Sequence, residues 1–208
     1  MAVQRGIFTR SLAAVAVVAL STFPAIAQKS PTPSRVRGTI ENVNGDMLVV
    51  KSRDGKDVKL HIAPDLRVSG IAKISLDEIK VGSFVGATTV KAPDGSQKAV
   101  EVHLFPESMR GTGEGSRPWD LRPNSTMTNA TVAESVVSKD GRTLLVKYKD
   151  GDKKVVVPPD APVVTYEPGE KSELKTGAKV IAFVKALPDG SLEVTRIGVG
   201  RNGLTPPM

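Results

Sequence analysis

From Val36 onward, short runs of alternating apolar and polar residues are separated by Gly, Asp and Asn. A period of two with breaks of this kind predicts half-buried strands joined by tight turns. The first strand falls near Val36–Val43. Asn44-Gly45 turns the chain, and a second strand covers Met47–Ser52. Asn-Gly between apolar runs is a strong hairpin signal, because both central positions of the tight turn need positive φ. After Asp54-Gly55, Val58, Leu60 and Ile62 alternate with Asp57, Lys59 and His61, which predicts a third strand. A longer connection follows. In it Ser75-Leu76-Asp77-Glu78 fits a capping box, and Gly82 sits where a short helical turn would end. Phe84–Lys91 predicts a fourth strand, Pro93-Asp94-Gly95 a turn, and Val100, Val102 and Leu104 a fifth strand.

The same plan is then written again. Lys51-Ser52-Arg53-Asp54-Gly55 recurs as Lys147-Tyr148-Lys149-Asp150-Gly151, and Pro64-Asp65 as Pro159-Asp160. Glu78-Ile79-Lys80-Val81-Gly82 recurs as Glu173-Leu174-Lys175-Thr176-Gly177. Pro93-Asp94-Gly95-Ser96 recurs as Pro188-Asp189-Gly190-Ser191, and all pairs are collinear at a spacing of 95 or 96. Collinear recurrence at one period reads as an internal repeat. Strands in the second copy are expected near 130–137, 144–149, 154–157, 178–186 and 192–198. Three strands, a short helical turn and two more strands is the element order of an OB-type barrel. The expected fold is therefore all-β, with two tandem five-stranded OB-like barrels at 35–105 and 129–200. A connector would span 106–128, and short flexible ends 28–34 and 201–208. Open five-stranded sheets packed on each other, or another small barrel, are the alternative.

The N-terminus adds a destination. Arg5 and Arg10 precede an apolar run, Leu12–Leu20, and Ala25-Ile26-Ala27 offers small residues for cleavage. This is the layout of a secretory signal peptide. The run is too short for a bilayer span, which takes about 20 apolar residues. Residues 1–27 are thus expected to be removed, with a periplasmic or secreted product. Of the 208 residues, 181 remain, and losing two Arg from a net charge of +7 leaves +5. The charges are mixed along strands and turns, which reads as a solvated surface. With no Cys, no disulfide staples the product, and burial must stabilise it.

The stretch 106–128 is not repeated. Gly and Pro argue against a helix or a central strand there. It carries the only Trp, Trp119, with Arg110, Arg117 and Arg122 and the acids Glu114 and Asp120 nearby. These six residues are the candidate binding group. Three readings stand: a linker, a plug in which Trp119 fills the seam between barrels, and a binding loop at that seam. In the plug, Arg110 or Arg117 would pair with Glu114 or Asp120. Gly111-x-Gly113-x-Gly115 is not a nucleotide loop, because Pro118 and Pro123 exclude the helix that must follow.

The remaining chemistry is thin. A zinc site needs three or four Cys, His or carboxylate ligands. The chain has no Cys and only His61 and His103, both on the polar phase of predicted strands and so expected at the surface. No nucleophile elbow is present, and Met47, Met109 and Met127 are dispersed. No catalytic residue, metal ligand or cofactor is assigned. Aromatics make up 4% of the chain, too few for the stacking platforms of single-strand nucleic-acid binders, so nucleic acid is not an expected partner. No stretch after Leu20 is apolar enough to span a membrane.

The segments Met109–Gly115, Arg117-Pro118-Trp119-Asp120 and Ser125–Asn129 carry a resemblance. They look like a family of small exported alphaproteobacterial proteins with two OB-type repeats of unknown function, often labelled "metal ABC transporter permease". The resemblance implies that fold and export over nearly the whole mature chain, and brings no catalytic residues. Transport itself is not carried over, since a permease needs several spans. The functional expectation is a periplasmic, non-enzymatic binding or interaction protein for an unknown protein or small ligand. The alternatives are an accessory of a metal or solute transport system, and an enzyme using carboxylates at the seam.

Overall fold

The computed structural model describes Met1, residues 34–139 and residues 141–208. The predicted signal peptide and most of the N-terminal segment 28–34 lie outside the described residues. The fold is all-β. Its strands are β1 (Arg35–Asn44), β2 (Met47–Ser52), β3 (Asp57–Lys73), β4 (Phe84–Lys91), β5 (Gln97–Leu104) and β6 (Gly115–Trp119). They continue as β7 (Ser125–Ser138), β8 (Gly141–Tyr148), β9 (Gly151–Val157), β10 (Val163–Pro168), β11 (Lys179–Ala186) and β12 (Leu192–Gly200).

A closed five-stranded barrel runs β1-β2-β3-β12-β11 and back to β1. All its pairings are antiparallel except β3 with β12, which is parallel. Its core holds Ile40, Leu48, Val50, Leu60, Val194 and Ile197. Five of the other strands make a second circuit, β4-β7-β8-β9-β5, around Val85, Val102, Val132, Leu144, Val146 and Val155. It closes through a short parallel contact of Gln97 and Lys98 with Val155 and Val156.

This arrangement corrects the expectation of two tandem barrels, one per half. Each circuit takes three strands from one half of the chain and two from the other. The reason lies in β3. The third strand was expected to end near Ile62, with a loop after it, but Leu66, Gly70 and Ile71 are buried and the strand runs on to Lys73. At about 3.3 Å per residue it carries the chain up to roughly 50 Å. The chain therefore enters β4 far from β1, and β4 pairs with β7 instead. In the second half, Pro158-Pro159 remove two backbone donors and end β9 at Val157. The chain resumes as β10, which pairs antiparallel with β3 and parallel with β5 and so joins the two circuits.

Local signals hold up well. Ser75 accepts from Asp77 N–H, and Glu78 accepts from Ser75 N–H, closing the predicted capping box on a 3-10 turn at Leu76–Glu78. Glu170 and Glu173 make the corresponding box before β11. The Asp94–Ser96 and Asp189–Ser191 turns have matching side-chain bonds. The connector departs from expectation. It contains a 3-10 turn at Glu107–Met109 and the edge strand β6, and β7 begins already at Ser125. Pro118 is tolerated in β6 because only one side of that strand is paired. The last residues, expected as a flexible tail, are packed. Met208 is buried and its backbone oxygen accepts from Arg37, while Pro206 O accepts from Arg53.

Candidate functional site

Between the barrel and the second circuit lies a third apolar cluster: Ile71, Met127, Val164, Ile181 and Met208, with Trp119, Tyr166 and Phe183 against it. A cavity of about 470 Å³ opens beside it, lined from both circuits and from the connector. That size falls in the range that small organic ligands occupy.

Strand β5 supplies its most unusual wall. Glu101, His103 and Phe105 are spaced by two and share one face, opposite Val100, Val102 and Leu104. The sequence pattern made that face wet. The structure corrects this: Glu101 is 0% exposed and His103 3%. The alternation correctly separated two faces, but the outer face of β5 looks into the space between circuits rather than into solvent. His61 is only partly buried and remains outside the cavity lining.

Glu101 accepts from Thr88 Oγ1 at 2.5 Å and lies 3.1 Å from His103 Nδ1. A carboxylate can only accept, so Nδ1 carries a proton and, in the neutral ring, Nε2 presents a lone pair. The imidazole is wedged edge-on against Phe105 (4.8 Å, 75°) and Tyr166 (5.6 Å, 83°), which stack on each other at 5.5 Å. Nε2 has no hydrogen-bond partner among the described residues. It rests over Gly86, where a Cβ would stand 2.1 Å from it and 2.8 Å from Asn129 Oδ1. Asn129 is 4% exposed. Its Nδ2 donates to Thr112 O at 2.8 Å, which fixes the amide's orientation, and its Oδ1 is buried with no partner.

The electrostatic character is cationic. Arg67, Arg117 and Arg196 line the cavity and no carboxylate does. None of the three joins an ion pair among the described residues. Arg117 donates to Gly113 O, and burial with the nearby Arg35 charge lowers its pKa. Arg196 sits over the Phe183 ring at 4.6 Å. Protein packed around the Tyr166 hydroxyl pushes its pKa up; the Glu101 charge adds to this and Arg196 opposes it. Tyr166 is thus a neutral donor throughout the ordinary pH range.

Of the six candidates from the connector, Arg117 and Trp119 line the cavity. The pairing expected inside a plug is replaced by another. Asp120 binds Arg35 and Arg37 on β1 at 3.0 and 2.7 Å, and Arg35 lies over the Trp119 ring at 3.9 Å. Arg110 instead pairs with Glu107 and donates to Gly82 O. Glu114 accepts from Lys149 N–H. Arg122 shapes the turn before β7 through its backbone and Ser125. The connector is therefore bolted to β1 on one side and to β7 and the turns before β4 and after β8 on others, with Trp119 at the cavity wall. Sequence reading missed Glu101, His103, Asn129, Tyr166 and Arg196. The available signal was Glu-x-His within a strand otherwise rich in Val and Leu, which is unusual where both faces are apolar or covered.

Among the described residues no group of three or more His, Asp or Glu is placed to hold a metal, and no helix is long and apolar enough to cross a membrane. Compared with protein-family models, curated proteins and solved structures, the chain matches none.

Proposed function

We propose that this is an exported, non-enzymatic binding protein that holds a small organic anion with an apolar body in the cavity between its two strand circuits. The observation that carries the reading is the lining. Three arginines without carboxylate partners face a pocket walled by Phe105, Tyr166, Phe183 and methionines. Arg67 and Arg196 are exposed and Arg117 is half-buried; unpaired cations beside an apolar pocket favour a negative ligand, and the apolar walls favour its body. In this reading both circuits are OB-type barrels. Each has the strand order first, second, third, fifth, fourth, with the third and fifth parallel, and the two repeats have exchanged their last two strands. Export rests on the N-terminal segment. A solute-carrying accessory of a transport system fits the same site. A metal-carrying accessory would need clustered ligands, and the carboxylate-pair enzyme would need two acids in the cavity lining.

The test is calorimetric titration of the processed chain with phenylacetate, hexanoate and inorganic phosphate. The carboxylates are expected to bind and phosphate to bind weakly, with affinity falling as salt rises. Arg67→Gln with Arg196→Gln should weaken carboxylate binding at least tenfold without changing the thermal midpoint by more than a few degrees. Carboxylate affinity that is unchanged in that variant, or no binding by either carboxylate, would overturn the assignment.

A further inference from the structure

The arginines account for one end of such a ligand. The wall formed by His103, which Glu101 holds, and by Asn129 is left without a role, and it has a specific deficiency. Two acceptors converge there and no donor stands between them.

The first acceptor is His103 Nε2. In the neutral ring the proton that the Glu101 contact places on Nδ1 leaves Nε2 with its lone pair, and Glu101 is itself fixed by Thr88. The second is Asn129 Oδ1, whose orientation follows from the bond of Nδ2 to Thr112 O. Flipping the amide would set carbonyl against carbonyl at 2.8 Å, so the acceptor faces as drawn. Both atoms lie within 2.8 Å of the point above Gly86 where a Cβ would be, and both residues line the cavity. Only glycine at this position lets the imidazole pack so closely against β4 and brings the two acceptors near each other. A buried acceptor with no partner costs about 1–3 kcal/mol, and native proteins rarely keep one without a use.

We infer that His103 Nε2 and Asn129 Oδ1 form a twin-acceptor subsite for a single hydrogen-bond-donating group of the ligand, a hydroxyl or an N–H. The ligand class narrows to hydroxy- or amino-substituted organic acids, bound with the anionic end toward the arginines and the donor against β5. The inference rests on the cavity being the anion site proposed above. It adds a selectivity that the arginines cannot supply, because they would hold a plain acid equally well. Two protonated donors held in place by Glu101 and Thr112 O give the subsite its direction: it accepts and does not donate.

The experiment compares matched probes on the processed chain: phenylacetate with para-hydroxyphenylacetate, and hexanoate with its terminally hydroxylated form. Calorimetry should show at least one hydroxylated member about tenfold tighter than its parent, the scale of one well-made hydrogen bond. Asn129→Leu should remove that preference, so that each hydroxylated probe binds no more tightly than its parent acid. A second reading needs no variant. Imidazole ¹⁵N spectra of the native chain should show His103 Nε2 unprotonated, and the hydroxylated probe alone should shift that resonance. Equal binding within both pairs, with no shift at Nε2, would overturn the subsite and leave the anion site standing. Binding of none of the four acids would remove both. A crystal structure with a hydroxylated probe bound, in which its hydroxyl contacts neither His103 Nε2 nor Asn129 Oδ1, would also overturn the subsite.

Discussion

Replacing Glu101 by Met tests whether the relay on β5 is a dry, structural device. Glu101 and Thr88 are 0% exposed and His103 3%. Removing the carboxylate strands two donors, Thr88 Oγ1 and His103 Nδ1, which have no other acceptor among the described residues. Each orphan costs about 1–3 kcal/mol, so the two together cost on the order of 4 kcal/mol. A domain of this size loses about 2–4 °C of thermal midpoint per kcal/mol, so the midpoint should fall on the order of 10 °C. The urea midpoint should fall with an unchanged slope. The control replaces the whole relay with apolar groups: Thr88→Val, Glu101→Met and His103→Leu together. Since the polar members then leave no orphan, stability should return to within about 1–2 kcal/mol of native, although the ligand preference would be gone. A loss below about 1 kcal/mol for Glu101→Met alone, or a triple variant no better than the single, would refute the reasoning. Either would mean that water entering from the cavity already solvates these groups.

Gly86→Ala should destabilise the chain by about 1–3 kcal/mol, because the added methyl would stand 2.1 Å from His103 Nε2; imidazole NMR should show the ring displaced. Asp120 gives a pH dependence that its neighbour Trp119 reports. Burial raises the Asp120 pKa, but hydrogen bonds and charge from Arg37 and Arg35 outweigh it and the net shift is downward. A lowered folded-state pKa means the contribution is present above the ordinary aspartate range and lost as pH falls through the folded value. Fluorescence of Trp119 should therefore change below about pH 4, and Asp120→Asn should show the acid-form signal already at neutral pH, with a stability cost of at most about 1 kcal/mol for a contact this exposed. Deleting residues 204–208 removes the buried Met208 side chain and the acceptors of Arg37 and Arg53. Calorimetric unfolding should register a loss of at least about 1.5–3 kcal/mol from the Met208 side chain.

Much of the strand inventory was legible because its signals are local. Gly45, Gly55 and Gly95 take positive φ in or beside the predicted turns, and the Ser75–Glu78 box caps its turn as its spacing requires. Pairing was not legible, because it depends on where a strand ends. Ala63-Pro64-Asp65 reads as a loop, and nothing local to it shows that β12 lies alongside and keeps β3 running. The site was hidden for a related reason. A period of two tells which residues share a face of β5, but not that both faces are covered. Glu101 and His103 looked solvated only because the second layer over them comes from residues sixty or more positions away, such as Tyr166. Trp119 was visible by its rarity, and Arg117 by its proximity to Trp119. Asn129 was not, since one Asn in a strand otherwise reads as a surface residue.

The exchange of strands sets a timetable for folding. Residues 35–73 cannot close a barrel until 179–200 exist, because β11 and β12 are the partners that β1 and β3 require. Residues 35–73 must therefore wait, with two sheet edges unpaired, for a stretch more than a hundred positions downstream to be made. Contacts so distant in sequence make for slow folding. Both ends of the described chain belong to the five-stranded barrel, so unzipping either end opens that barrel first. Under the export proposed above, a core that cannot assemble from residues 35–73 alone would keep that stretch threadable until residues 179–200 have been made.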